Sequence, residues 1–116
     1  MITVAETGVF QRKAASLLTP EEKAALIAYL AEHPQTGVLI PGTGGLRKLR
    51  WGRGVKGKRG GLRIVYYYHN ATMPLYLLTV FGKNERVDLS AEERKRLAAM
   101  VEQLIAQWRK HYDQSI

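Results

Sequence analysis

The sequence predicts an α+β domain: a small antiparallel sheet with helices against one face, in the order β-α-α-β-β-β-α. Three observations carry that prediction. Two helix-start signatures, Thr19-Pro20-Glu21-Glu22 and Ser90-Ala91-Glu92-Glu93, each set a hydroxyl N-cap three positions before a glutamate. Runs rich in aliphatic, β-branched and aromatic residues lie between them, at Lys48 to Trp51, Leu62 to His69 and Leu75 to Phe81. Nine of the eleven glycines fall between Gly37 and Gly61, a density that rules out a helix there.

Each element follows from its residues. Ile2-Thr3-Val4 is β-branched throughout and reads as a short first strand. Thr7 is placed to cap a helix with Phe10, Ala14 and Leu17 on one face. A second helix runs from the Thr19 box to about Glu32, carries Leu26, Ile27 and Leu30 as its apolar stripe, and is stopped by Pro34. In the next strand, alternation sends Lys48 and Arg50 to one side and Leu49 and Trp51 to the other. The loop from Gly52 to Gly61 mixes glycine with like charges and is expected to be mobile until it meets an anion. Leu62 to His69 has the composition of a central strand, with Tyr66 and Tyr68 on the core side with Leu62 and Ile64, and Tyr67 on the side of Arg63. Asn70 to Pro74 turns the chain into a hairpin, and Gly82 ends its second strand. Leu97, Val101, Leu104, Trp108 and Tyr112 recur at helical spacing in a long C-terminal helix. The second face of the sheet is expected to stay free for basic residues.

Composition bounds the function. The 116 residues, 46% hydrophobic and 24% charged, fit a single domain over residues 1–116. Zero cysteines exclude disulfides, zinc–thiolate clusters, iron–sulfur centres and a cysteine nucleophile, which makes a reducing cytoplasm the expected location. No apolar run approaches the ~18 residues of a membrane span, and the first residues lack a basic segment followed by an apolar one, so neither membrane insertion nor export is expected.

Charge is the informative quantity. Eighteen Lys and Arg against ten Asp and Glu give +8, with a pI of about 10.0, which points to a polyanionic partner. Between His33 and Asn84 there is no acidic residue, while Arg47, Lys48, Arg50, Arg53, Lys56, Lys58, Arg59, Arg63 and Lys83 supply nine positive charges. A block of one sign this long is an electrostatic footprint for phosphates. Arg63 interrupts an apolar strand, a costly position unless it faces a polar or solvated groove or pairs with a distant glutamate. Lys83 leaves the following strand, so the two can converge on one rim of the sheet. Tyr67, on Arg63's side, is the candidate for stacking on a base.

Other motifs read as structure. His33, His69 and His111 fall at a helix end, a strand end and near the C-terminus, without metal-ligand spacing, and no metal or cofactor is expected. Gly42-Thr-Gly-Gly45 lacks the Gly-Lys-Ser/Thr of a phosphate-binding loop and reads as a turn. Asn70-Ala-Thr72 matches a glycosylation sequon but also reads as a turn. Arg94-Lys-Arg96 follows Glu92 and Glu93, so the last helix lacks the basic stripe of a DNA-groove reader.

Taken together, Gly60-Gly-Leu-Arg63-Ile-Val-Tyr-Tyr-Tyr68, then Leu77-Leu-Thr-Val-Phe-Gly-Lys-Asn-Glu-Arg86 and a helix opening Asp88-Leu-Ser90, resemble the RelE/HigB-type toxins of bacterial toxin–antitoxin systems. Pro41-Gly-Thr-Gly-Gly-Leu-Arg-Lys-Leu-Arg-Trp51 is similar to the HigB-like branch, and the resemblance runs from about Val38 into the C-terminal helix. It implies a RelE-like fold and a metal-independent endoribonuclease that enters the ribosomal A site and cuts mRNA. The RNA's own 2′-hydroxyl is then the nucleophile, and the protein supplies orientation and charge stabilisation. The implied partners are the ribosome with its mRNA and a cognate antitoxin, acidic where it binds and carrying a helix-turn-helix DNA-binding domain.

Carried over residue by residue, Arg63 matches the strand arginine at the scissile phosphate. Lys48 and Arg50 resemble the basic pair of the preceding strand, a role that Lys56 and Lys58 fill equally well. Lys83 and Arg86 match basic positions of the Gly-Lys-x-Glu-Arg segment. Arg47, Arg53, Arg59, Tyr67 and Asn84 complete the expected RNA-binding set. Asn84 stands where the best-known branch has an arginine and Ser90 where it has a tyrosine, so the resemblance assigns neither the general base nor the sequence preference. The rival reading is a non-catalytic RNA- or ribosome-binding module using the same patch.

Overall fold

The computed structural model describes residues 2–52, 61–86 and 88–114, with the backbone alone for 112–114. Along the chain they form β1 (Val4–Glu6), α1 (Gly8–Leu17), α2 (Pro20–Glu32), β2 (Val38–Leu39), β3 (Leu46–Trp51), β4 (Leu62–Tyr67), β5 (Leu75–Gly82) and α3 (Ala91–Gln114). The strands make one sheet in the order β1-β5-β4-β3-β2. From β2 to β5 neighbours run antiparallel, but β1 lies parallel to β5 with Val4 opposite Leu75. The sheet is therefore mixed, and it contains a strand, β2, that the sequence reading omits. Two residues are too few to show a period of two, and alternation carries no information about strand direction.

The helix starts are where the caps put them. Thr7 accepts from the Phe10 amide at 3.2 Å, and its hydroxyl proton is shared between the carbonyls of Leu77 and Leu78 at 3.0 and 3.1 Å. One side chain thus starts α1 and ties it to β5 beside a bulge, where the register shifts between Val65 and Tyr66. Thr19 and Glu22 exchange reciprocal hydrogen bonds at 3.0 and 2.8 Å ahead of α2, and Ser90 and Glu93 do so at 3.1 and 2.9 Å ahead of α3. Asn70 Oδ1 accepts from the Thr72 and Met73 amides, which makes the sequon-like segment a side-chain-closed turn. Gly42 and Gly44, at φ 73° and 76°, supply the left-handed backbone of the β2–β3 connection, and the buried Thr43 hydroxyl between them bonds Ile40 and Leu46.

The sheet is covered on both faces. On one, Leu62, Ile64, Tyr66, Leu75, Leu77 and Val80 pack against Phe10, Ala14 and Leu18 from α1 and its end and Leu26 and Leu30 of α2, with Leu49, Trp51 and Tyr68 alongside. On the other, Leu46, Val65, Tyr67, Leu78 and Phe81 pack against Leu97 and Val101 of α3, with Leu104 and Trp108 at the margin. The expectation of one free face is therefore corrected. Leu75 to Phe81 is apolar almost without interruption rather than alternating, which is the signature of a strand buried on both sides. Among the described residues, no helix is long and apolar enough to cross a membrane.

Candidate nucleic-acid interface

The β3–β4 register assembles the basic residues. Lys48 lies opposite Val65 and Arg50 directly opposite Arg63, while Leu49 and Trp51 lie opposite Ile64 and Leu62. Alternation therefore sends Lys48, Arg50 and Arg63 to the α3 side, at the end of β3 and β4 away from Leu46 and Tyr67, which pack into the α3 core. Two arginines directly across an antiparallel ladder repel one another, a local cost that a bound anion removes.

Arg63 is half-buried. Across one ladder is Arg50 and across the other Phe81. Its Nη1 is shielded from solvent and has no hydrogen-bond partner among the described residues. A guanidinium N–H in that state is an unmet donor, and phosphate oxygens match its planar fork. The Lys83 amide donates to Gly61 O at 3.1 Å, which ties the end of β5 to the start of β4. The exposed Lys83–Asn84–Glu85 turn thus adjoins the strand end that carries Arg63.

An acidic residue stands at the edge of this face. Asp88 Oδ2 lies 3.0 Å from Lys48 Nζ and 3.9 Å from Arg94 Nη2, and Oδ1 accepts from the Leu89 amide at 2.8 Å. Burial pushes the Asp88 carboxyl up, yet the Leu89 amide, the Lys48 ammonium and Arg94 outweigh it and hold the group below its ordinary value. The sequence reading gives neither Asp88 nor Arg94 a place in the site. No local signal marks them, because the partner Lys48 comes from a strand far back along the chain.

Other expected site residues are placed elsewhere. Arg47 points to the opposite face, where Nη1 donates to the carbonyls of Gln35 and Gly37 at 3.1 and 2.7 Å. Arg86 lies over the Phe81 ring, 4.6 Å from its centroid, and pairs with Glu93. Burial raises the Glu93 carboxyl, but Arg86 and the Ser90 amide bring it below its ordinary value. Tyr67 does share Arg63's side but is only 6% exposed, its hydroxyl 2.7 Å from His69 Nδ1. The stacking role expected for Tyr67 is corrected accordingly: α3 covers its ring. His69 packs edge-on against Trp108 and His33 tilts against Tyr29, each within an aromatic cluster. Arg53, Lys56, Lys58, Arg59 and the loop expected to be mobile lie outside the described residues.

Lys48, Arg50 and Arg63 therefore form the nucleus of the interface, with Lys83 and Asn84 on the adjoining turn and Asp88 and Arg94 at its edge. Such a face can grip successive phosphates and offset charge that builds on one of them. Compared with models of known protein families, the sequence matches none.

Proposed function

We propose that this chain is a ribosome-dependent mRNA endoribonuclease, a toxin of the RelE/HigB type with a RelE-like fold, acting in the cytoplasm and neutralised by a separately encoded acidic antitoxin. The observation that carries this reading is the alignment of Lys48, Arg50 and Arg63 on one face, with Arg63 Nη1 buried and unpartnered among the described residues. Natural sequences break local rules where function requires it, and a like-charged cross-strand pair beside an unmet donor is such a break.

In the chemistry this supports, a 2′-hydroxyl gives up its proton to solvent and attacks the adjacent phosphorus, closing a 2′,3′-cyclic phosphate, and the 5′-oxygen of the next nucleotide leaves and takes up a proton. Negative charge grows on the non-bridging oxygens, where Arg63 is assigned. Lys48 and Arg50 hold flanking phosphates and align the attack, and Lys83 approaches from the turn after β5. Arg63 and Lys83 are the residues to test. Added to translating ribosomes, the protein is expected to cut mRNA at discrete A-site positions, and the cuts should disappear with Arg63→Ala and fall at least tenfold with Lys83→Ala. Cuts that persist in both variants refute the assigned site. Salt-sensitive ribosome binding without cuts refutes the nuclease and leaves the binding module.

A further inference from the structure

Asp88 has no role in that chemistry, yet among the described residues it is the carboxylate paired with Lys48 on the basic face. From the structure we infer that Asp88 is an internal stand-in for a substrate phosphate: its carboxylate holds Lys48 on the face while the site is empty and yields Lys48 to a phosphate when RNA binds. This rests on the RNA-binding reading of the same face.

Three observations support the inference. The Lys48 Nζ–Asp88 Oδ2 distance of 3.0 Å is that of a close ion pair, the contact an ammonium also makes with a phosphate oxygen. Arg94, at 3.9 Å, gives the same oxygen a second cation, so Asp88 Oδ2 sits between two positive groups as a phosphate oxygen would. Lastly, Asp88 is anchored independently of them, because Oδ1 accepts from the Leu89 amide at 2.8 Å at the entrance to α3. The carboxylate stays in place when Lys48 leaves, and the exchange needs only a lysine side chain to swing. With its carboxylate about a third exposed, Asp88 makes a weak pair that a polyanion can displace. The nearby Glu93 does not compete for the role, since it is held by Arg86 and by the Ser90 cap.

The consequence is measurable. Asp88→Asn keeps an oxygen for the Leu89 amide and removes the charge that competes with RNA. On a fluorescent single-stranded RNA oligonucleotide with 2′-O-methyl sugars, which blocks cleavage, Asp88→Asn should bind about two- to fivefold tighter than wild type. Between about 50 and about 200 mM salt, its log–log slope should match that of wild type, because Lys48 reaches a phosphate in both complexes, and should become shallower by about 0.7 with Lys48→Gln, the increment for one phosphate contact on a single strand. Asp88→Glu should behave as wild type, and the gain should vanish in a Lys48→Gln background. An unchanged affinity for Asp88→Asn overturns the inference, as does a slope that Lys48→Gln leaves unaltered, and so does a gain that survives Lys48→Gln, which would be a general effect of net charge. A cooperative thermal unfolding transition of Asp88→Asn, well above the assay temperature, confirms that the comparison is between folded proteins. If wild type itself shows no salt-dependent RNA binding, the RNA reading of the face fails, an outcome distinct from failure of the Asp88 exchange alone.

Discussion

The two faces of the β3–β4 pair are built from the same strands to opposite ends. Toward α1 and α2 stand Leu49, Trp51, Leu62, Ile64 and Tyr66, and the Tyr66 hydroxyl is satisfied by the Gly37 amide at 2.8 Å and the Pro34 carbonyl at 2.9 Å. Toward α3 the apolar row of Leu46, Val65 and Tyr67 shares its face with Lys48, Arg50 and Arg63. The first face satisfies its polar groups and excludes water. The second places two guanidinium groups opposite one another and, among the described residues, leaves Arg63 Nη1 shielded without a hydrogen-bond partner, as the Nε atoms of Arg86 and Arg94 also are. The packed apolar row and the row of cations are thus separated by the alternation of a strand, so that a substitution on one face need not disturb the other.

That separation can be broken or sharpened by experiment. The largest effect belongs to the packed face: Ile64, fully buried, should cost about 2–5 kcal/mol of unfolding free energy when replaced by alanine, read from urea denaturation at unchanged slope. Arg63→Met should do the reverse, raising stability by about 0.2–1 kcal/mol through relief of the Arg50 opposition, while mRNA cleavage is lost. A destabilised Arg63→Met would mean that the arginine is structural and the two faces are not separable. The smallest effect is acidic. Asp88 and Glu93 have folded values below their ordinary ones, so below about pH 4.5 the unfolded chain binds more protons than the folded one. Their contribution is complete above that range and is lost as pH falls through the folded values. The double variant Asp88→Asn with Glu93→Gln should show a shallower fall in denaturation midpoint with pH.

Much of this architecture is legible locally. Both capping boxes, the Thr7 cap, the stop at Pro34 and the core placement of Tyr66 are encoded within a few residues of where they act, which is why sequence reading finds them. The β3 alternation likewise separates Lys48 and Arg50 from Leu49 and Trp51 correctly. Tyr67 shows where such reading stops. Its face is right, but whether that face meets water depends on α3, whose Leu97 and Val101 come from the other end of the chain. Arg86 belongs with Tyr67, since its engagement by Glu93 and the Phe81 ring is invisible in a count of basic residues.

By itself, then, the sequence determined the caps, the strand periods and the side of each strand on which a cation stands, because those depend on backbone geometry over a few residues. The tertiary structure alone decided that β1 runs parallel to β5, that α3 closes the second face, that Arg50 meets Arg63 and that Asp88 reaches Lys48. These are contacts between segments far apart along the chain. Local preference cannot encode them, because they arise only when burying the apolar runs on both sides of β4 and β5 dictates which elements become neighbours.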